Sequence, residues 1–512
     1  MDIFCFESSS FDGNLVRVEV DIRKGIPGLD IIGLPDGAVL ESRERLRAAM
    51  RNSGYEIPKG RILINLAPAG IKKAGASFDL SMATAILLKS GEINLECDKK
   101  VLILGELMLS GEIRSVNGVL SAVAASINSE IDTVIVPDNN LREALSLEGP
   151  VVYGIDNIKK INETLASIVS GESQNIFKLN KSENDGYFEP EIDFKDIRGL
   201  PFVKRAIEVA AAGRHNVLLF GPPGGGKTIS CRAISGILPS LSREEAIEVT
   251  RIYSAAGLLK DGMGLITRPP FRQPHHSASE EGVIGGGKIV RPGEISLAHK
   301  GVLFLDETPE FSKHLLQALR EPVEEGKVDI ARAGRSCLYP ADFQLILAAN
   351  PCPCGNLGKK EAVCLCSRKE VINYWKRLGG ALLDRIDIRI PVEPEPLDFF
   401  NEDEEASCSI RKRVEYSVKI QERRYINESF NRNARISQKC LKKYCVMNED
   451  AEYEYMQAVK KLRISSRACV SIIKIARTIA DLKKNEKIET NDIFEAIQHR
   501  RYGESDFYWD KM

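Results

Sequence analysis

The stretch VLLFGPPGGGKTISCRAI, residues 217–234, constrains this 512-residue chain more than any other. It reads as a short apolar strand, a glycine loop and a helix start. Gly221, Gly226, Lys227 and Thr228 fit the spacing G-x-x-x-x-G-K-T, with Pro222, Pro223, Gly224 and Gly225 between them. The glycines let backbone N–H groups wrap phosphates, and the helix N-terminus adds its positive end. Lys227 is predicted to reach the β/γ-phosphates, and the Thr228 hydroxyl to ligate Mg²⁺. A bare structural turn would require neither the apolar strand before it nor Lys-Thr after it. ATP or GTP binding within an α/β fold is therefore expected.

KGVLFLDE supplies a partner strand. Four apolar residues, Val302 to Leu305, lead into Asp306 and Glu307. A buried parallel strand ending in an acid places that acid beside the metal. Asp306 is the expected metal-side carboxylate and Glu307 the general base for the attacking water. FQLILAAN is a third apolar strand, and its terminal amide, Asn350, is placed to orient that water. GGALLDRIDIRI carries Arg385 between Asp384 and Asp387 at the mouth of another strand. An arginine outside its own phosphate loop suits a finger acting on a neighbouring subunit. The alternative for Arg385 is a local ion pair with its flanking aspartates.

The length exceeds one hydrophobic core and accommodates three domains. Residues 1–165 alternate apolar strands with helical stretches, 166–190 are polar and irregular and read as a linker, 191–395 form the α/β ATPase unit, and 396–512 become helical. The net charge of -1 hides a basic stretch at 411–443, with eleven Lys/Arg against three Glu. The N-terminus has no basic n-region, and no apolar run reaches the roughly 18 residues of a membrane span. A cytoplasmic protein without membrane association is expected. In a reducing compartment twelve cysteines do not read as a disulfide framework. Eight are scattered singly and are expected to be small buried hydrophobes.

The other four cluster as Cys352-x-Cys354 and Cys364-x-Cys366, directly after Asn350 and before Arg385. Four soft ligands in one polar loop suit tetrahedral Zn²⁺. The competing readings are reduced thiols in a surface loop, or a redox switch. EEGKVDIARAGRSCLYPADFQ reads as a hairpin turning at Gly334-Arg335, with Lys327, Arg332 and Arg335 on or near it. GVIGGGKIVRPG is a glycine-rich insert carrying Lys288 and Arg291. Sequence-independent phosphate contacts need such residues, although each is also readable as a solvated loop charge. His275 and His276 have no patterned acid or cysteine and read as loop-positioning residues.

This ordered set resembles the ComM/YifB family of magnesium-chelatase-like AAA+ ATPases, essentially from end to end. GLPDGAVLESRERLRAAMRNSGY, FRQPHHSASEEGVIGGGKIVRPGEISLAHKGVLFLDE, NPCPCG, LLDRID and SSRACVSIIKIARTIADL carry the resemblance. It implies a homo-hexameric ATPase that moves forked, branched or single-stranded DNA, as a branch-migration helicase in natural transformation and recombination. It implies Arg385 as the arginine finger, Arg467 as the second-sensor arginine in a helical lid, and the two basic inserts as DNA-gripping loops. Thr308 stands where family members often carry leucine. The family name also invites a chelatase reading; the resemblance implies instead that the N-terminal region and the cysteine insert set this chain apart from magnesium chelatase's ATPase subunit.

The N-terminal region resembles Lon-protease or ribosomal-S5-like α+β domains, with Ser77 at the nucleophile position. A serine needs a base, and Leu120 stands where the Lon pattern places its lysine. No peptidase activity is expected. The competing function is a protein-remodelling or chelatase-like regulatory ATPase without nucleic acid. The basic inserts, and the lack of an aromatic-hydrophobic-glycine pore motif, favour DNA.

Overall fold

Period-2 alternation in LVRVEVDI buries Val16 and Val18 and exposes Arg17 and Glu19, as a half-buried strand requires. The computed structural model describes residues 1–8, 10–95, 97–171, 191–287, 290–332, 335–359, 362–393, 404–462, 465–500 and 502. In the N-terminal unit the strands are β1 (Asp2–Glu7), β2 (Asn14–Arg23), β3 (Gly28–Ile32), β4 (Arg61–Ala67), β5 (Lys100–Ile103), β6 (Thr133–Pro137) and β7 (Val151–Ile155). They form one mixed sheet in the order β3-β4-β2-β1-β5-β6-β7. Helix α1 (Gly37–Asn52) is capped by Asp36, which accepts from the Val39 N–H, and Gly54 beyond its end takes φ 87°. Helices α2 (Asp79–Ser90) and α3 (Val119–Asn128) pack on β2.

Three sequence expectations are corrected here, two in this unit and one along the chain. VLILGEL is not one strand, because β5 stops at Ile103 and a separate two-residue strand begins at Glu106. Helix α4 (Ile161–Ser170) runs through the first residues assigned to the linker, since Ile161, Leu165 and Ile168 anchor its apolar face in the core. Residues 172–190 of that segment lie outside the described residues. Of the eight scattered cysteines, Cys5, Cys231, Cys337 and Cys445 are buried, but Cys97, Cys440 and Cys469 are half-buried and Cys408 is exposed. Leu120 is fully buried, and the Lys73 ammonium donates to the Pro68 carbonyl.

The second sheet is wholly parallel. Its strands are β8 (Val217–Phe220), β9 (Phe271–Arg272), β10 (Val302–Leu305), β13 (Gln344–Ala349) and β14 (Ile388–Pro391), in the order β9-β10-β13-β8-β14. Strands β11 (Lys327–Arg332) and β12 (Arg335–Pro340) form the expected hairpin, with Arg332 opposite Arg335. Arg335 is thus a strand residue rather than a turn residue. Every residue of β8, β10 and β13 is buried, the pattern of a sheet covered on both faces. Val217 and Leu219 face one core, Leu218 and Phe220 the other.

Helix α5 (Pro201–Gly213) precedes β8, and α6 (Lys227–Ala233) and α7 (Arg243–Ala256) follow it. Helix α7 also joins the two units: Ser254 donates to Glu143 and accepts from the Gly118 N–H, while Arg251 pairs with Asp12. Helix α8 (Arg368–Lys376) follows the cysteine loop. The chain then becomes helical in α9 (Ser407–Arg424), α10 (Glu449–Leu462), α11 (Ser466–Leu482) and α12 (Thr490–Arg500). Much of the basic stretch 411–443 is tied inward: Arg413 pairs with Glu208 and Glu405, Arg424 with Asp481, Arg432 with Glu422 and Arg435 with Asp342. Arg413 and Arg435 thereby tie the helical region to Glu208 of α5 and to Asp342 beside β13, while Arg424 and Arg432 pair within it. No described helix is long and apolar enough to cross a membrane.

Candidate nucleotide-hydrolysis site

Ligands of open parallel sheets bind beyond the carboxyl ends of the strands, at a switch in strand order. Strands β8, β10 and β13 all deliver their functional residues there. After Phe220 the loop turns through Gly224 and Gly226, with φ 82° and 81°, backbone that glycine adopts without strain. A Cβ at Gly221 would lie 2.1 Å from the Val392 carbonyl oxygen, so only glycine lets the loop leave β8 beside β14.

Lys227 opens α6 and folds back over the loop. Its Nζ donates to the Gly221 carbonyl at 2.6 Å, the Pro222 carbonyl at 2.9 Å and the Asn350 Oδ1 at 3.2 Å. Burial holds its pKa below the usual lysine value, because the charged form loses hydration. The Thr228 hydroxyl donates to Asp306 Oδ2 at 2.9 Å. A hydroxyl and a carboxylate at that separation can share a hard divalent cation with phosphate oxygens. The donor set therefore fits a nucleotide with Mg²⁺, for which Lys227 and the loop amides would face the phosphates and Thr228 and Asp306 would face the metal.

Glu307 follows Asp306 in the left-handed region, with φ 48° and ψ 44°. For a residue other than glycine this costs on the order of 1–3 kcal/mol, and such strain clusters at functional sites. His276 Nδ1 lies 3.8 Å from Glu307 Oε2. His276 has the acidic neighbour that its local sequence does not show, because β9 and β10 pair side by side. Thr308 is buried and donates to the Leu305 and Ala348 carbonyls at 2.9 and 3.0 Å. It ties β10 to β13 beneath the site.

Arg385 and Arg467 lie elsewhere. The Asn216 Nδ2, just before β8, donates to the Arg385 carbonyl at 2.9 Å. Arg385 thus sits at the amino end of the sheet, whereas the phosphate loop leaves the carboxyl end. A four-residue strand spans about 13 Å. Arg385 pairs with Glu324, and Arg467 Nη2 donates to the same carboxylate at 3.0 Å. Both line a cleft of about 480 Å³ with Arg214, Arg435 and Lys474. The alternative of an Arg385 pair with its flanking aspartates is not found: its partner is Glu324, and Asp387 instead accepts from Ser471.

Cys352, Cys354, Cys364 and Cys366 converge, with all four sulfurs within 4.8 Å of one another. Three of the separations are 3.4, 3.6 and 3.6 Å, far longer than a disulfide's ~2.05 Å. The Asn356 N–H draws the Cys354 thiol down to about 6, and burial pushes Cys352 up to about 12. Of the candidates for gripping DNA, Lys327 is exposed at the start of β11, and Arg332 and Arg335 close the hairpin. Arg291 is exposed on a two-residue strand paired with Gly285–Gly286. Lys288 lies outside the described residues.

A five-stranded parallel sheet, a glycine-rich loop after its β8 strand, an acid at the end of β10 and a helical C-terminal region together have the layout of a P-loop α/β ATPase. Residues 193–399 match the family described as magnesium chelatase, subunit ChlI; residues 18–140 match subunit ChlI of Mg-chelatase, and 404–500 its C-terminal part. The competence protein ComM of Haemophilus influenzae is 35% identical over 97% of this chain and 97% of its own length. YifB of Escherichia coli is 36% identical over 95% of this chain and 94% of its own. The magnesium-chelatase 38 kDa subunit of Rhodobacter capsulatus is 27% identical over only 34% of this chain. The chain belongs to the ComM/YifB family of magnesium-chelatase-like ATPases.

Proposed function

We propose that this chain is an ATP-driven DNA motor that works as a homo-oligomeric ring, a hexamer by family resemblance, on forked or branched DNA. The observation that carries the reading is the polarity of the sheet. Lys227, Thr228, Asp306 and Glu307 gather at its carboxyl end, and Arg385 and Arg467 at its amino end. Two arginines that cannot reach their own phosphates suit a second subunit's, so hydrolysis is completed between neighbours. In this reading Glu307 is the base, Asn350 the water-orienting amide, Arg385 the finger and Arg467 the second sensor.

The hairpin β11–β12 and the Gly285–Pro292 insert supply the cations a sequence-independent grip needs. The relative named for competence points the same way. Residues 1–165 are read as a Lon/S5-like domain without its catalytic dyad, 191–395 as the ATPase core and 396–512 as the lid. The cysteine cluster is read as a structural Zn²⁺ site, because thiolates on metal–sulfur bonds of ~2.3 Å stand about 3.8 Å apart. Cytoplasmic location follows from the same reading.

The test is ATP-dependent dissociation of a labelled fork or four-way junction by the assembled protein with Mg²⁺. Dissociation that requires ATP supports the motor. A ring that hydrolyses ATP yet neither binds nor dissociates any branched substrate would leave the protein-remodelling or chelatase-like reading in its place.

A further inference from the structure

The cysteine loop begins two residues after Asn350 and folds back onto the phosphate loop. Gly355, at φ 75°, lies so close to Pro223 that a Cβ there would stand 3.0 Å from Pro223 Cδ. Pro223 follows Pro222, whose carbonyl accepts from Lys227, and Asn350 accepts from Lys227 on the other side. Of the three groups that hold Lys227, Asn350 leads directly into the cysteine loop and the Pro222 carbonyl lies next to Pro223, which that loop approaches, while the Gly221 carbonyl belongs to the phosphate loop alone.

That loop has little of its own to hold its shape. Between Ala349 and Arg368 the described residues form no helix or strand. Cys352 is buried, Leu357 N–H donates to its sulfur at 3.4 Å, and Trp375 Nε1 fixes the Pro351 carbonyl at 3.1 Å. Beyond this anchor, Val363 and Leu365, on either side of Cys364, are 78% and 89% exposed. Apolar contact in the described far half of the loop is thus limited to Leu357 and to the packing of Cys364 and Cys366 against the core. The four sulfurs converge across the loop, and coreless knuckles take their folding energy from metal.

We propose that Zn²⁺ on Cys352, Cys354, Cys364 and Cys366 is the clamp that seats Gly355 against Pro223 and Asn350 against Lys227, so that the nucleotide site is complete only in the metal-loaded chain. This rests on the zinc reading above and extends it to control of the ATP site. Cys354 is exposed and Cys364 and Cys366 are half-buried, so a chelator reaches the metal while the sheet beneath stays packed.

The experiment uses the full-length protein, purified without added metal. Elemental analysis should give one zinc per chain. Stripping it with a thiol-competing chelator should weaken binding of a fluorescent ATP analogue by roughly ten-fold or more, the scale on which groups supporting a site act. Far-UV circular dichroism should be unchanged, and zinc should restore binding. Refilling with Co²⁺ should give the visible bands of a tetrahedral thiolate complex. A Cys354→Ser/Cys364→Ser variant should behave as the stripped protein, and the stripped parent decides the matter if that variant does not fold. Metal-free protein with four freely titrating thiols overturns the site. Stoichiometric zinc whose removal leaves analogue affinity unchanged overturns the clamp. A loaded parent that binds no nucleotide sinks the ATPase reading and the clamp with it, while its zinc content still decides the metal site.

Discussion

Arg385 and Arg467, 82 positions apart in the chain, converge on the single carboxylate of Glu324. The two arginines hold that carboxyl below the usual range, Arg385 foremost. Glu324 lies in the helix Arg320–Glu325, directly before the β11–β12 hairpin. A γ-phosphate arriving from a neighbour would compete with Glu324 for both arginines. Arg385→Ala should bind ATP normally and hydrolyse it ~10³-fold or more slowly, the scale of an arginine finger. Mixed with Lys227→Ala subunits it should regain part of its activity, because each lacks what the other supplies. No recovery in rings shown to contain both variants would exclude action across the interface.

Glu307→Gln should retain nucleotide binding and lose turnover by roughly 10²–10⁴-fold, the worth of a positioned general base. His276→Ala should cost less than Glu307→Gln, because at 3.8 Å from Glu307 Oε2 it is a neighbour of that carboxylate and not its hydrogen-bond partner. Single-turnover hydrolysis of both variants checks the order. Parental turnover in Glu307→Gln would remove that residue from the chemistry.

Asp342 is the hub beneath the hairpin. It accepts from Arg214 at 3.3 Å, Lys300 at 3.2 Å and Arg435 at 2.8 Å. Burial alone would raise its pKa, but these cations outweigh burial and hold its carboxyl far below the usual carboxylate range. A depressed folded pKa stabilises the protein above the unfolded value near 3.9 and is lost as pH falls further below it. Asp342→Asn should therefore destabilise by about 3 kcal/mol at pH 7, since it leaves partly buried cations unpaired. The difference from the parent should shrink between roughly pH 4 and pH 2. Urea denaturation across that range reads both.

Replacing Arg291, Arg332 and Arg335 with serine should weaken DNA binding and DNA-stimulated hydrolysis while leaving basal ATP binding intact, since none belongs to the phosphate cradle. Every arginine that neutralises a phosphate in the parent should, once replaced, reduce the slope of log affinity against log salt by about 0.7–0.9. Fluorescence titrations of forked DNA at several salt concentrations measure it. An unchanged slope would assign the grip to other residues.

The phosphate loop, the Asp306-Glu307 strand end and the four cysteines were legible because their chemistry is written in contiguous residues. A loop that wraps phosphates needs glycines in sequence, a buried parallel strand needs an unbroken apolar run, and a thiolate knuckle needs its ligands in one loop. The hairpin was legible for the same reason, from alternation on either side of Gly334. Other relationships span distant residues. Nothing near His276 announces Glu307, which the pairing of β9 with β10 brings to it. Nothing near Pro223 announces Gly355, 132 positions on, yet they touch. The basic run 411–443 shows nothing locally of its partners, and only packing brings Arg413, Arg424 and Arg435 to Glu208, Asp481 and Asp342. Local sequence determined which chemically matched residues stand side by side. The tertiary structure decided that the phosphate loop and the two arginines occupy opposite ends of one sheet, because strand direction and order exist only once distant segments have paired.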